Sequence, residues 1–269
     1  MLLPASISEQ RAFSRARDLR LMLKVMRWLT NGREVWTAYR GDRPIPPLKF
    51  RSGLVLHHRE EDSPVFLLLE IFANGCYRHA GRLARGHVTD IGANIGAFAL
   101  YCAWQRPAVR VHAFEPNPRA YETLRHNVRE NHLDDIITTH NVAVAGQTGE
   151  LTLAVDGPSI VASAYTVVQH GSTTSTLVVP AISLADAVSY GDADVDLLKI
   201  DAEGAEVVIL EESSAETLRR ARCVALECHD WLVPAASARS RRALETARFK
   251  CRSRGDGRCG SMLYGWRQP

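Results

Sequence analysis

One stretch limits what this chain can fold into more than any other: Val88-Thr89-Asp90-Ile91-Gly92-Ala93-Asn94-Ile95-Gly96, followed at once by Phe98-Ala99-Leu100-Tyr101. The first part reads as a buried strand and the last as a helix, so the backbone must turn sharply between them. Glycine permits that turn, and a close approach of the backbone to a ligand, because it has no Cβ. Strand, glycine turn and helix together open a βαβ unit, which predicts a mainly parallel sheet covered on both faces.

The alternation of short apolar runs with amphipathic segments continues downstream. Strands are expected at His87–Ile91, Arg110–Glu115, Ile136–Val144, Asp196–Ile200 and Cys223–Cys228, and helices at Ile95–Trp104, Pro118–Asn131, Glu203–Arg220 and Ala236–Ala247. Gly149–Val155 reads as a return strand, and Cys251–Trp266 has the spacing of a final hairpin. The fold class expected is α/β: a doubly wound, Rossmann-like sheet, mostly parallel with an antiparallel C-terminal strand. Residues 156–176, rich in Ser, Thr and Gly, read as a long loop: either a cover for the acceptor site, since loops of that length tend to be lids or binding loops, or a mobile surface excursion.

Ahead of this lies a smaller layer of helices and short strands. From Glu9 to Trp36 an apolar stripe (Phe13, Leu19, Met22, Leu23, Met26) interleaves with Arg11, Arg15, Arg20, Lys24 and Arg27, as in one or two amphipathic helices. Such a helix packs on the domain with a solvated basic side, or serves as a lid, a homodimer contact or a surface for an acidic acceptor. Pro44, Pro46 and Pro47 exclude a regular helix interior. Leu48 to His58 reads as one or two strands turning near Ser52-Gly53, and Pro64 to Phe72 as a helix. The division expected is an accessory layer over 1–80 and a main domain over 81–269.

With 269 residues and a formal charge of +3, the chain is large enough to bury a core but not basic enough to announce nucleic acid. No apolar run reaches the length of a secretory core or a membrane span, so a cytoplasmic location is expected. Cys76, Cys102, Cys223, Cys228, Cys251 and Cys259 lack both CxxC pairing and disulfide density, which predicts reduced packing residues. A Cys223/Cys228/His229 metal cluster is the lesser reading, because a strand would bury most of it.

The second strand ends at Phe114-Glu115-Pro116, and Glu115 lies about two dozen positions after Asp90, the offset at which an acid binds ribose hydroxyls in a nucleotide-binding unit. A phosphate site would want backbone N–H groups and often a Lys or Arg at the glycine loop. This loop follows Asp90 and carries Asn94 but no cation. Such an acidic lip suits a nucleoside bearing an ammonium and a sulfonium, which points to S-adenosylmethionine rather than NAD.

At these residues the chain resembles the FkbM family of methyltransferases. The resemblance rests on Asp90 to Gly96, Ala113-Phe114-Glu115-Pro116-Asn117-Pro118, Val142-Ala143-Val144 with Gly149-Glu150-Leu151, and Leu198-Lys199-Ile200-Asp201-Ala202-Glu203-Gly204-Ala205-Glu206. It spans roughly residues 70 to 230. It implies a Rossmann-like methyltransferase sheet and methyl transfer from S-adenosylmethionine, usually to a hydroxyl of a sugar, lipid or secondary metabolite. The cofactor-binding set expected is Asp90, Gly92, Ala93, Asn94, Gly96, Glu115, Pro116, Val142 and Asp201. The chain departs from the family pattern at Gly146, where an acidic residue is common, and at Leu184-Ala185-Asp186, where Leu-Asp-Asp is common.

Methyl transfer to oxygen needs alignment, exclusion of water and removal of the hydroxyl proton. The candidates are Lys199, Asp201 and Glu203 after the fourth strand and Glu227, His229 and Asp230 after the fifth, at the strand ends where open α/β sheets bind ligands. Asp201 reads as base or cofactor contact, or else as the N-cap of a helix starting near Ala202. Glu203 and Glu206 read equally as carboxylates favoured by a helix's first turn. Lys199 needs a buried partner, Asp201 or Glu227, and His229 reads as general base or as a hydrogen-bonded structural residue. No resident metal is assigned; Mg²⁺ held by Asp201 and a second acid is the alternative mechanism. An RNA methyltransferase and a non-catalytic interaction module are the competing functions.

Overall fold

In the computed structural model, which describes residues 19–59, 62–73, 77–154, 176–191, 193–254 and 261–267, the first described element is helix α1 over 19–28. Val25 and Leu29 are buried and Trp28 packs against the same core, while Leu19 and Leu23 remain more than half exposed. Helix α2 (Gly32–Arg40) follows, then the short antiparallel pair β1 (Leu48–Lys49) and β2 (Val55–Leu56). The expected helix over Pro64–Phe72 is one α-turn, α3 (Pro64–Leu67), running into a π-helix at Leu68–Ala73, after which α4 spans Arg78–Leu83. π-Helical turns are rare and are frequently found at functional sites.

The main sheet is built from β3 (His87–Ile91), helix α5 (Ala97–Gln105), β4 (Arg110–Phe114), helix α6 (Pro118–Glu130) and β5 (Ile137–His140). The strand expected over Ile136–Val144 is two strands, because the chain leaves the sheet at Asn141, whose side-chain amide donates to Glu115 O at 2.9 Å. The second piece, β6 (Ala143–Ala145), forms a separate sheet in the order β6-β8-β7 with β7 (Gly149–Ala154) and β8 (Thr176–Ser183). The expected loop over 156–176 lies outside the described residues apart from Thr176.

After α7 (Leu184–Ala187) the main sheet resumes with β9 (Val195–Ile200). The expected helix Glu203–Arg220 is two helices, α8 (Glu206–Glu212) and α9 (Ala215–Arg219), because Ser214 caps a new start by accepting from Thr217 N at 3.0 Å. Strand β10 (Ala221–Cys228), helix α10 (Ala236–Thr246) and the hairpin β11 (Lys250–Arg254) to β12 (Ser261–Trp266) complete the chain. The seven-stranded order is β11-β12-β10-β9-β3-β4-β5, parallel from β10 to β5, with β12 antiparallel to β10. The class is α/β with a mostly parallel, Rossmann-like sheet.

Two side-chain amides tie the N-terminal layer to this sheet. Asn127 and Asn131, one turn apart on the inner face of α6 and at its end, read the backbone of β2 and of the residue after it: Asn131 exchanges bonds of 2.8 and 2.7 Å with Val55, and Asn127 bonds of 2.7 and 3.0 Å with His57. Asn127 is fully buried and also donates to Ile95 O at 2.8 Å. Satisfied amides in an apolar setting specify register more sharply than apolar contact does.

Candidate active site

Strand order reverses between β3 and β9, since β3 leads to β4 on one side and lies beside β9 on the other. Loops leaving the carboxyl ends of such a pair diverge and open a crevice. Gly92 sits there at φ +71°, and a Cβ on it would lie 1.8 Å from the carbonyl oxygen of Asp201. The two loops therefore touch through a position that only glycine can fill. Gly92→Ala is expected to lower stability by roughly 2–4 kcal/mol, combining left-handed strain with overpacking. A denaturant midpoint equal to that of the parent chain would contradict that close approach. Asn94 also adopts positive φ, at +49°.

Gly92, Asn94, Asp201 and Glu203 line two adjoining cavities. The first has apolar walls from Phe114, Pro116, Ala120, Val144 and Leu153, with Glu115 among them. Glu115 is 7% exposed. Its two oxygens accept from Asn94 N and Asn117 N at 2.8 Å each. Burial pushes its carboxyl up to about 7, against the pull of those N–H groups. Val142, expected here, does not line the cavity; with the strand broken at Asn141, its neighbours Ala143 and Val144 do, and Val142 packs on the core. Gly96 lines neither cavity: its φ of +86° starts α5, and its missing Cβ leaves room for Leu124.

The second cavity is ionic. Lys199, 3% exposed, lies 3.1 Å from Asp90 Oδ1 and 3.6 Å from Asp201 Oδ2, and donates to Gly92 O at 2.8 Å. Burial opposes its charge, but Asp90 and Asp201 outweigh that and hold its pKa above the usual lysine value. Asp90 is fully buried and lines neither cavity, so it supports Lys199 rather than facing the crevice. Lys199 and Ala93 do line the second cavity. Tyr77 donates to Glu227 Oε2 at 2.9 Å and to Asp201 Oδ2 at 3.2 Å, joining α4's leading end to both strand ends.

Asp201 caps no helix. The chain makes a tight turn first, with Glu203 at φ +49° and Gly204 at +99°, and α8 starts at Glu206. Glu203 accordingly lies outside the first helical turn. Glu206 is fully buried, closes the turn by accepting from Ala202 N at 3.0 Å and Gly204 N at 2.9 Å, and reaches His229 Nδ1 at 2.7 Å. His229 Nε2 meets Glu203 Oε2 at 3.1 Å. Burial lowers the affinity of this ring for its proton, but Glu203 and Glu206 outweigh it and push the His229 pKa up to about 11. The imidazole is thus charged at neutral pH, which leaves it without the free lone pair a general base needs.

Two cavity carboxylates stand out that the motifs did not offer together. Glu70, on the π-helix, is pushed up to about 7 by burial and then by Asp201. Glu227 is pushed up to about 8 by burial and then by Asp201 and Glu70. Nothing in the local sequence marks Glu70 or Tyr77, which reach the site only through packing of the N-terminal layer. Asp230 is engaged elsewhere, accepting from Ser237 N at 3.0 Å.

Among the described residues, the groups able to hold a metal are His57, His126 and Glu130, and Asp201, Glu203 and His229. Cys223 and Cys228 belong to neither and are free thiols, as are Cys102 and Cys251. No helix among the described residues is long and apolar enough to cross a membrane.

Residues 90–249 match the family model described as the methyltransferase FkbM domain. The chain is 29% identical over 214 residues to the 31-O-demethyl-FK506 methyltransferase FkbM of Streptomyces tacrolimicus, covering 69% of this chain and 82% of that one. It is 28% identical over 190 residues to methyltransferase sdnD of Sordaria araneosa, covering 60% and 73%. Among solved structures, the METTL16 methyltransferase domain superposes with a TM-score of 0.52 at 12% identity, covering 88% of this chain and 78% of that one, a likeness of fold.

Proposed function

The chain belongs to the FkbM family of methyltransferases, and from that premise we propose that it transfers a methyl group from S-adenosylmethionine to a hydroxyl of a small molecule. One observation carries the reading: an apolar cavity containing a buried carboxylate opens, across Gly92 and Asp201, into a second cavity rich in carboxylates.

The residues fit the cofactor. Phe114, Ala120, Val144 and Leu153 offer apolar walls for a flat purine, and each Glu115 oxygen keeps a lone pair for a ribose hydroxyl beyond the N–H it already accepts. Asp201 and Glu203, at the junction, supply negative charge for the ammonium and sulfonium. When bound, S-adenosylmethionine supplies an electrophilic methyl on a sulfur that leaves as a neutral thioether. The chain's own part is to hold the acceptor oxygen in line, exclude water and take the hydroxyl proton.

We assign that proton to Glu70 rather than His229. Glu70 lines the second cavity and accepts no hydrogen bond among the described residues, whereas both ring nitrogens of His229 face carboxylates. Lys199 and Asp90 act by fixing the Gly92 carbonyl and Asp201. The relative named for a 31-O-demethyl acceptor supports oxygen as the atom methylated.

Titration calorimetry with S-adenosylmethionine tests the cofactor half. Glu115→Ala is expected to weaken binding by about 1.5–3 kcal/mol, the value of hydrogen bonds to a charged group. Unchanged affinity would overturn the assignment of the first cavity. Mass spectrometry of a hydroxylated metabolite panel, incubated with enzyme and cofactor, tests the acceptor half; methylation on nitrogen or carbon alone would refute the choice of oxygen.

A further inference from the structure

Helix α6 carries two ligand-type side chains one turn apart. His126 and Glu130 stand at i and i+4, neighbours on one helix face, and both are exposed. His57, the residue after β2, packs its ring against His126, with centroids 4.3 Å apart at 78°. One ligand-type atom from each of His57, His126 and Glu130 lies within 4.8 Å of the other two. Atoms bound at about 2.1 Å to a common ion lie about 3.0–3.4 Å apart for octahedral or tetrahedral angles. The three atoms must therefore draw in, and the two side chains on α6, being exposed, have the rotamer freedom to do so.

His57 is held more tightly, and that is a separate observation. Asn127, fully buried and next to His126 in sequence, accepts from His57 N at 2.7 Å and donates to His57 O at 3.0 Å, so the backbone is pinned on both sides. The Nε2 of His57 is buried and, among the described residues, has no hydrogen-bond partner. Buried polar atoms are normally satisfied by protein, by water or by an ion. Packing against the His126 ring alone leaves this nitrogen with nothing, whereas a metal ion between the two rings gives it a partner.

We infer that His57, His126 and Glu130 bind one Zn²⁺, and that the ion takes the orphaned His57 nitrogen as a ligand. Two imidazoles and a carboxylate suit Zn²⁺ and disfavour Mg²⁺ and Ca²⁺, which prefer oxygen throughout. Zn²⁺ is usually four-coordinate, so a water completes the set. His57 lies ahead of residues 90–249, which match the family model, and His126 and Glu130 lie within them. The ion is thus a strut across the seam that Asn127 and Asn131 already bridge. None of its three ligands lines either cavity, so the site stands whether or not the proposed reaction does.

Calorimetry and thermal unfolding test this on the full chain, stripped with chelator and titrated with Zn²⁺. Because free thiols take Zn²⁺ as well, the reading is the difference between the parent and two variants, His126→Ala and Glu130→Gln. Both change an exposed helix face and are expected to keep the parent's metal-free Tm; that measurement identifies either one if it fails to fold, and the other then carries the test. Each should lose one ion per chain or bind it at least about tenfold more weakly, a loss that even an outer-shell partner causes. At about 100 times Kd, Zn²⁺ should raise the parent's Tm by about 5 °C or more, and the variants' by less. Hydrogen exchange locates the ion: Zn²⁺ should slow the amides of Val55 and His57 in the parent and leave them unchanged in His126→Ala. Equal Zn²⁺ binding by the parent and a folded variant, or binding that leaves Val55 and His57 exchange unaltered, overturns the inference and reduces the pair to a ring contact.

Discussion

Lys199→Met is expected to cost about 3–5 kcal/mol of folding stability, the usual result of breaking a buried ion pair from one side. Asp90, fully buried, would lose the ammonium 3.1 Å away. Burial already raises the Asp90 pKa, and without Lys199 it rises further. A carboxyl whose folded pKa exceeds its unfolded one destabilises the fold increasingly as pH climbs above the unfolded value. The deficit should therefore be larger at pH 8 than at pH 5, measured by urea unfolding. Asp90→Leu combined with Lys199→Met should recover most of it, because no lone charge remains. A single variant as stable as the parent at both pH values would refute the pairing.

Glu70→Gln is expected to lower kcat by about 10²–10⁴-fold, the contribution of a positioned general base, while leaving cofactor affinity unchanged. Burial and then Asp201 and Glu203 raise the Glu70 pKa, Lys199 and His229 lower it, and the balance stands at about 7, with Glu227 lining the same cavity. Protonated below that value, the carboxyl accepts nothing, so kcat/KM should rise through pH 7 and level above it. The glutamine variant should lose that limb. Parental turnover in Glu70→Gln would remove Glu70 from the chemistry.

The sheet was legible because each strand and its following helix carry their own periodicity, and the crevice was legible because Gly92 and Glu115 stand at fixed offsets from one turn. What local pattern misses is pairing across distance. Asp90 reads as an acid at the lip, yet Lys199, more than a hundred positions later, draws it into the core. His229 reads as a base until Glu206 and Glu203 arrive from the neighbouring loop. Asn141 breaks an apolar run by a hydrogen bond to a strand it does not adjoin in sequence. Glu70 lies in a segment whose spacing is simply helical, and the π-turn there has no signature in one sequence.

Tyr77 gives the N-terminal layer a share in the strand ends, since its hydroxyl bridges Asp201 and Glu227 while Glu70 and Phe66 line the same cavity. Among the described residues, none before Ile91 lines the first cavity. The two halves of the reaction are thus inherited from different parts of the chain. A graft exchanging residues 62–83 between relatives is expected to change which acceptor is methylated while leaving the Kd for S-adenosylhomocysteine as it was. Diversification of this enzyme toward new acceptors can then proceed in the front segment, with the glycine turn and Glu115 carried along unaltered.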